Sequence, residues 1–454
     1  MRPNAITLAY LDELAGRGLP DLDLPGLAAR SFDISVSTFS GHCLTRPAFL
    51  DHAERAQLDS DLTALQSMLV SIPGRLFGGD LAAFSAAAGM TGPQLQAILR
   101  SQSATATRLA RVDQYPDESG FRVMEVNNGS PIGALDSALL NRAFLGSDFV
   151  AEFAAAHRLS YIDPMAEMVA TMLAECGLDP AARPLVAAID WPQSYPGLAP
   201  LLRSNARQLA RLGYEFVHGH LGQLEFAGRR VWLAGRPVEV IYRLFMIEDL
   251  LQPGAEELID PVLDAAGRGE VAMFTPMDSH LYGSKAALAM LSDEEHRSAF
   301  SAAELATLDR ILPWTRMVRP GQVTVGCGSA DLLDYAIAQR HELILKPALM
   351  HGGIGIVPGW LTDPADWKAQ VMAAMNGPYV LQRRIRAPAE PFPVPGGGAT
   401  RPWVLGWGVF LGQGGYSGSS VRGHTDPDIG APSVGARAAS LTCCFHQEAP
   451  ASSG

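Results

Sequence analysis

Lysine is the residue this chain of 454 amino acids most nearly does without: there are three (Lys285, Lys346 and Lys368) against 32 arginines. Wherever a positive charge merely had to be present, arginine stands. Positive charge is in short supply altogether, since 35 basic residues face 47 acidic ones and leave a formal net charge of −12. A protein that grips nucleic acid through its overall field needs clustered positive charge against the phosphates, so that class is excluded, while a local basic pocket is not. Cysteine is sparse as well. The five (Cys43, Cys176, Cys327, Cys443 and Cys444) form no CxxC pair and leave an odd count, which argues against a disulfide framework and a thiolate metal site and suits a reducing compartment. Long apolar runs are missing. No stretch approaches the ~20 residues of a membrane span, and the opening MRPNAITLAYLDELAGRG lacks the continuous apolar core of a signal peptide. The expectation is a cytoplasmic protein without a membrane partner. The motifs GxxxxGK[ST] and GxSxG are absent too, and Gly326-Cys327-Gly328 runs on to Asp331 where a dinucleotide fingerprint wants a small residue.

What is present, 48% hydrophobic and 18% charged residues, leaves room for two or three packed domains. The first hundred residues carry helical spacing in segments such as LDHAERAQLDSDLTALQSMLV. Two strand-like runs follow, ATRLARVDQY and FRVMEVNNG, separated by the turn-prone PDESG, and predict a hairpin. Alternation of strands and helices from PLVAAIDW to VEVIYRLF predicts a small α/β unit between about 146 and 275. Helical patterns return around KAALAMLS and AAELATLDRIL. After them, ELILKPALMHGGIGIVPGW predicts two short strands joined by a glycine-containing loop, then a helix at DPADWKAQV and a strand at PYVLQRRI. The stretch APAEPFPVPGGGATRP is expected to be a mobile connection, and the tail after Phe445 to be disordered.

The hairpin concentrates chemistry. Side chains two apart share a face of a strand, so Arg111 and Asp113 point one way, as do Glu125 and Asn127. With the turn near Glu118 and the right register parity, these four project from one face while Ala110, Val112, Met124 and Val126 line the other. Two readings stay open: a solvated face with an Arg–carboxylate pair, or a divalent-cation site in which Asp113, Glu125 and Asn127 offer hard oxygens suited to Mg²⁺. A second feature is Lys346 at a strand end, followed by His351-Gly352-Gly353-Ile354-Gly355. Glycines let backbone N–H groups approach a polyphosphate and the lysine can neutralise it, although glycine-rich hairpins also occur with no such role. His218 and His220 have no third ligand at a telling spacing and read as structural. Trp403 and Trp407 read as core.

Taken together, these pieces resemble a known family. Arg111-x-Asp113 followed by Glu125-x-Asn127 is similar to the metal and acyl-phosphate motif of glutathionylspermidine synthase and the eukaryotic type of glutathione synthetase, ATP-grasp ligases of permuted motif order. Tyr282-Gly283-Ser284-Lys285-Ala286 resembles the first nucleotide lysine of that family, and Leu345-Lys346-Pro347 with Gly352-Gly353 its second lysine and phosphate loop. Pro378-Tyr379-Val380-Leu381-Gln382 resembles its adenine hinge, and Trp407-Gly408-Val409 with Gly418 and Arg422 its late glycine-and-arginine element. The resemblance covers about 105 to 425. Relatives often place a glutamate in the loop after the second lysine, where this chain has Met350 and His351, and the hinge commonly reads Gln-Glu where this chain has Gln382-Arg383.

The resemblance implies an α/β (α+β) fold of the ATP-grasp kind. It would comprise a helical N-terminal segment (1–104), the first part of the catalytic core (105–145) and an inserted α/β substrate domain (146–275). A nucleotide-binding lid region (276–390) and the remainder of the core with its tail (391–454) would complete it. It implies that Asp113, Glu125 and Asn127 hold Mg²⁺, that Lys285, Lys346, Gly352, Gly353 and Gln382 bind ATP, and that Arg111 and Arg422 steady an acyl phosphate. Arg243, at the end of VIYRLF, is a candidate for the substrate carboxylate, with an edge-strand salt bridge as the alternative. The activity implied is ATP-dependent joining of a carboxylate to an amine, the small-molecule partners being amino acids, peptides or polyamines. A homodimer is left open, as are an ATP-binding module without ligase activity and a phosphotransferase.

Overall fold

In the computed structural model the described residues are 3–17, 43–101, 106–129, 137–179, 181, 183–394, 399–426 and 440–449. They form a mixed α/β structure around three main sheets. The largest has eight strands. Its main path runs Ala48–Leu50, Ser440–Gln447, Gly415–His424, Thr400–Gly412, Ala110–Pro116, Phe121–Asn127, with Ala389–Pro393 added to Thr400–Gly412 and Leu159–Ser160 to Ser440–Gln447. Val112, Val126, Val409 and Val421 occupy one face, where period-2 alternation puts them together, and pack into one core with Leu62, Leu65 and Leu69 of the helix His52–Leu76. That helix starts where it does because Asp51 and Glu54 form a reciprocal cap: the Glu54 N–H donates to Asp51 Oδ1 at 2.8 Å and the Asp51 N–H to Glu54 Oε2 at 2.9 Å.

Residues 186–274 build a four-stranded parallel sheet in the order Ala272–Phe274, Val240–Arg243, Val186–Asp190, Phe216–His220. The third main sheet is antiparallel, in the order Thr315–Met317, Tyr379–Arg383, Leu343–Pro347, Val357–Pro358. Leu343, Leu345 and Leu381 turn to a core with Trp367 and Val371 of the helix Pro364–Ala374. Alternation therefore sends Lys346 to the opposite face, with Gln382 beside it on the neighbouring strand. His218 and His220 lie on a parallel strand, with His218 Nδ1 2.9 Å from the Tyr195 hydroxyl. Trp407 is core and Trp403 packs against the same cluster.

Two expectations need correction. The proline-rich stretch after residue 387 contains the strand Ala389–Pro393. It lies on the edge of the sheet, where the N–H that proline lacks is not required. The buried Arg46 fixes it: Nε donates to the Pro391 carbonyl at 3.0 Å, Nη2 meets Glu390 at 2.7 Å, and the guanidinium stands 3.9 Å from the Phe392 ring centroid. Likewise the chain does not lose order at Phe445. The strand runs on to Gln447 with Phe445 and His446 buried, and only 450–454 of the expected tail lie outside the described residues. Residues 322–331, given no element from sequence, form a hairpin with Gly326 at φ 60° in its turn. No helix among the described residues is long and apolar enough to cross a membrane.

Candidate active site

The hairpin register pairs Arg111 with Asn127 and Asp113 with Glu125, so the four polar side chains share one face. One feature departs from the simple alternation. The register slips between Asp113 and Gln114, because Gln114 pairs with Val123 and leaves Met124 as the extra residue of a bulge. Met124, expected on the apolar face with Ala110, Val112 and Val126, instead lines the cleft above the polar group. Across the next two strands Asp113 aligns with Gly408 and Ser420. A Cβ at position 408 would lie 3.0 Å from Ser420 Oγ, 3.1 Å from Arg111 Cδ and 3.3 Å from Asp113 Oδ1, so glycine there lets the arginine lie across the sheet. Arg111 clamps Asp113 through Nε at 2.8 Å and Nη2 at 3.1 Å, and Arg422 Nη2 approaches the same carboxylate at 3.4 Å. Burial alone would lower the Arg111 guanidinium, but Asp113 and then Glu125 raise it above its ordinary range.

Two lysines converge on this face from other elements. Lys285 opens the helix Lys285–Ser292, and its Nζ lies 3.2 Å from Glu125 Oε2 and donates to the Met350 carbonyl at 2.9 Å. Lys346 Nζ donates to Gln382 Oε1 at 2.6 Å and stands 3.4 Å from the Met124 carbonyl. Burial, opposed by Glu125 and reinforced by Lys285, brings the Lys346 ammonium down to about 8. Burial pushes the Glu125 carboxyl up, yet Lys285 and Lys346 together outweigh it and hold the group well below the carboxylate range. The loop between the strands carries Gly352 and Gly353 at φ 64° and 79°, the left-handed region that glycine enters without strain. His351, in the same loop, is brought down to about 4 by burial and Lys285 and is neutral near pH 7.

Two sequence candidates are held by contacts within the protein. Both ends of the Gln382 amide are engaged, Oε1 by Lys346 and Nε2 with Thr315 Oγ1 at 3.2 Å, so Gln382 holds the lysine, and it lines the same cavity. Arg243 is fully buried, and its guanidinium donates to the carbonyls of Thr275, Phe245 and Gly129, to Ser279 Oγ, and to His280 Nε2 at 2.7 Å. With its donors spent inside the protein it is not available to a substrate carboxylate. It fastens the turn after Asn127 to the end of the parallel sheet. The apposition is close, since a Cβ on Gly129 would lie 2.5 Å from the His280 ring.

Sequence reasoning missed several cleft residues. Tyr115, Trp360 and His424 line the cavity with Lys346, Met124 and Ile344, and it adjoins a second that reaches Asp113, Glu125 and Arg422. Tyr115 and His424, with the hydroxyl 3.4 Å from Nε2, stand two residues beyond Asp113 and Arg422; the same alternation that grouped the candidates could have found them. Nothing local marks Trp360.

The donor set can be tested against a metal. Among the described residues no group of three or more His, Cys, Asp and Glu is placed to hold one. Asn127 Nδ2 donates to the Arg111 carbonyl at 3.3 Å and stands 3.5 Å from Asp113 Oδ2, which leaves its oxygen as the acceptor end. Two carboxylates and an amide oxygen fit Mg²⁺, which is commonly bound through one or two carboxylates with phosphate and water completing the shell.

No family model matches the chain. Over 382 residues it is 27% identical to the uncharacterized protein ML0605 of Mycobacterium leprae (strain TN), covering 75% of this chain and 63% of that protein. The chain thus spans less than two thirds of that relative. Among solved structures, it is similar to a glutathione synthetase-like effector (GSS30) from Globodera pallida, at 14% identity and a TM-score of 0.49, covering 93% of this chain and 97% of that one. A protein provisionally described as a gamma-glutamylcysteine synthetase, from Methylobacillus flagellatus, aligns at 14% identity and a TM-score of 0.44, covering 86% and 88%.

Proposed function

We propose that this chain is an ATP-dependent carboxylate–amine ligase of the ATP-grasp kind. The observation that carries the reading is the convergence of Arg111, Asp113, Glu125 and Asn127 on one sheet face with Lys285 and Lys346 from two other elements. A carboxylate and a γ-phosphate repel, so bringing them together requires fixed cations and exclusion of water; phosphoryl transfer is mostly positioning and electrostatic stabilisation. Lys346 and Lys285 neutralise phosphate oxygens, and Gly352 and Gly353, without side chains, let the loop backbone approach them. Asp113, Glu125 and Asn127 would hold Mg²⁺, which supplies Lewis-acid neutralisation of phosphate charge when bound.

Attack of the acid oxygen on the γ-phosphorus releases ADP and leaves an acyl phosphate. Arg111 and Arg422 steady its phosphate and the oxyanion that forms when the amine attacks the carbonyl. That attack forms the C–N bond, and collapse of the oxyanion breaks the C–O bond and expels phosphate as the amine nitrogen gives its proton to solvent. Residues 146–275 would hold the acid or the amine, which we take to be an amino acid, peptide or polyamine. Hydroxylamine in place of the amine tests this over a panel of amino acids and dipeptides. A coloured hydroxamate formed with ADP is expected; silence across the panel, with ATP still bound, would leave a nucleotide-binding module without ligation.

A further inference from the structure

Lys285 is built into the site from both ends. Its backbone N–H donates to the Ala348 carbonyl at 3.0 Å, and Ser284 caps the helix it opens by accepting from the Ala287 N–H at 3.1 Å. Its ammonium, with the side chain only 5% exposed, bridges Glu125 Oε2 at 3.2 Å and the Met350 carbonyl at 2.9 Å. A carboxylate oxygen and a backbone carbonyl on two different elements are hard-oxygen donors that a bound divalent cation could bridge in the same way. An ammonium is a compact cation with three donors and can stand in such a place where a planar guanidinium could not.

Charge points the same way. In these contacts four cations (Arg111, Arg422, Lys285 and Lys346) surround two carboxylates, Asp113 and Glu125, an excess of two positive charges without any metal. Asp113 is already clamped by Arg111 and approached by Arg422, which leaves Glu125, held at one oxygen by Lys285, and Asn127 for a single metal ion. Phosphoryl-transfer centres work with one or with two divalent cations. We propose that the Lys285 ammonium occupies the place of a second divalent cation, so that nucleotide is bound with one metal ion per chain. The proposal rests on the nucleotide reading above and goes beyond it.

Counting Mn²⁺ by electron paramagnetic resonance, with the non-hydrolysable analogue AMP-PNP in excess over the protein and Mn²⁺ bound to free nucleotide subtracted, tests it without turnover. One Mn²⁺ per wild-type chain is expected. Lys285→Ser, which vacates the bridge, is expected to raise the count to two. Two in the wild type, or one in both proteins, would overturn the proposal while leaving the nucleotide site standing. No nucleotide-dependent Mn²⁺ in the wild type would overturn the nucleotide reading and this proposal with it. Should Lys285→Ser fail to fold, Lys285→Ala is read in the same way, and two Mn²⁺ in the wild type overturns the proposal whichever variant folds.

Discussion

Lys346 stands next to last in the strand Leu343–Pro347 with its ammonium buried between Gln382 and the hairpin, and burial with Lys285 nearby brings it down to about 8. The charged form is the one that meets phosphate. It is present below that value and lost above it, so kcat/KM for ATP is expected to be level near neutrality and to fall as pH rises through about 8; kcat/KM reports the free enzyme's titration. A profile level to pH 9 would mean that this lysine does not contact nucleotide. Lys346→Ala and Asp113→Asn are each expected to cost roughly 10²–10³-fold in ADP formation, the scale of one lost electrostatic stabiliser, with circular dichroism unchanged. The scarcity of lysine gains meaning at this scale. Of three, Lys285 and Lys346 are buried at the candidate site, while Lys368 is exposed on a helix. A confined pocket can discriminate between an ammonium and a broad guanidinium where an open surface does not.

At the scale of elements, the central strand Thr400–Gly412 needs its glycine opposite Asp113. Gly408→Ala is expected to displace Arg111 and lower kcat, and Gly414→Ala, where nothing lies within 4 Å, to leave turnover unchanged. Arg243 acts through the turn at Gly129. Arg243→Met would strip donors from three buried carbonyls, each unsatisfied group costing about 1–3 kcal/mol, and urea denaturation should show the loss. The elements themselves were largely legible, because the hairpin, the strand–helix alternation and the strand carrying Lys346 all follow local periodicity. What the sequence hid is non-local. The bulge at Met124 depends on pairing register, the order of Ala389–Pro393 depends on Arg46 more than 340 positions away, and the spending of Arg243 on carbonyls depends on how the parallel sheet meets the hairpin.

For the whole molecule, the site exists because one face of the eight-stranded sheet is left facing the antiparallel sheet that carries Lys346 and Gln382, with Lys285 joining them. The four charged hairpin and strand residues, Arg111, Asp113, Glu125 and Arg422, could be named from sequence. The Arg111–Asp113 pair follows from their shared strand face, but the approach of Arg422 to Asp113 could not be read, since it depends on the packing of segments about 300 residues apart. Calorimetric titration of ATP into the purified protein, with Mg²⁺ and with chelator, bears most directly on that arrangement. Saturable binding that requires Mg²⁺ and is weakened by Lys346→Ala is expected; no binding in the presence of Mg²⁺ would contradict the reading of this cleft as a nucleotide site.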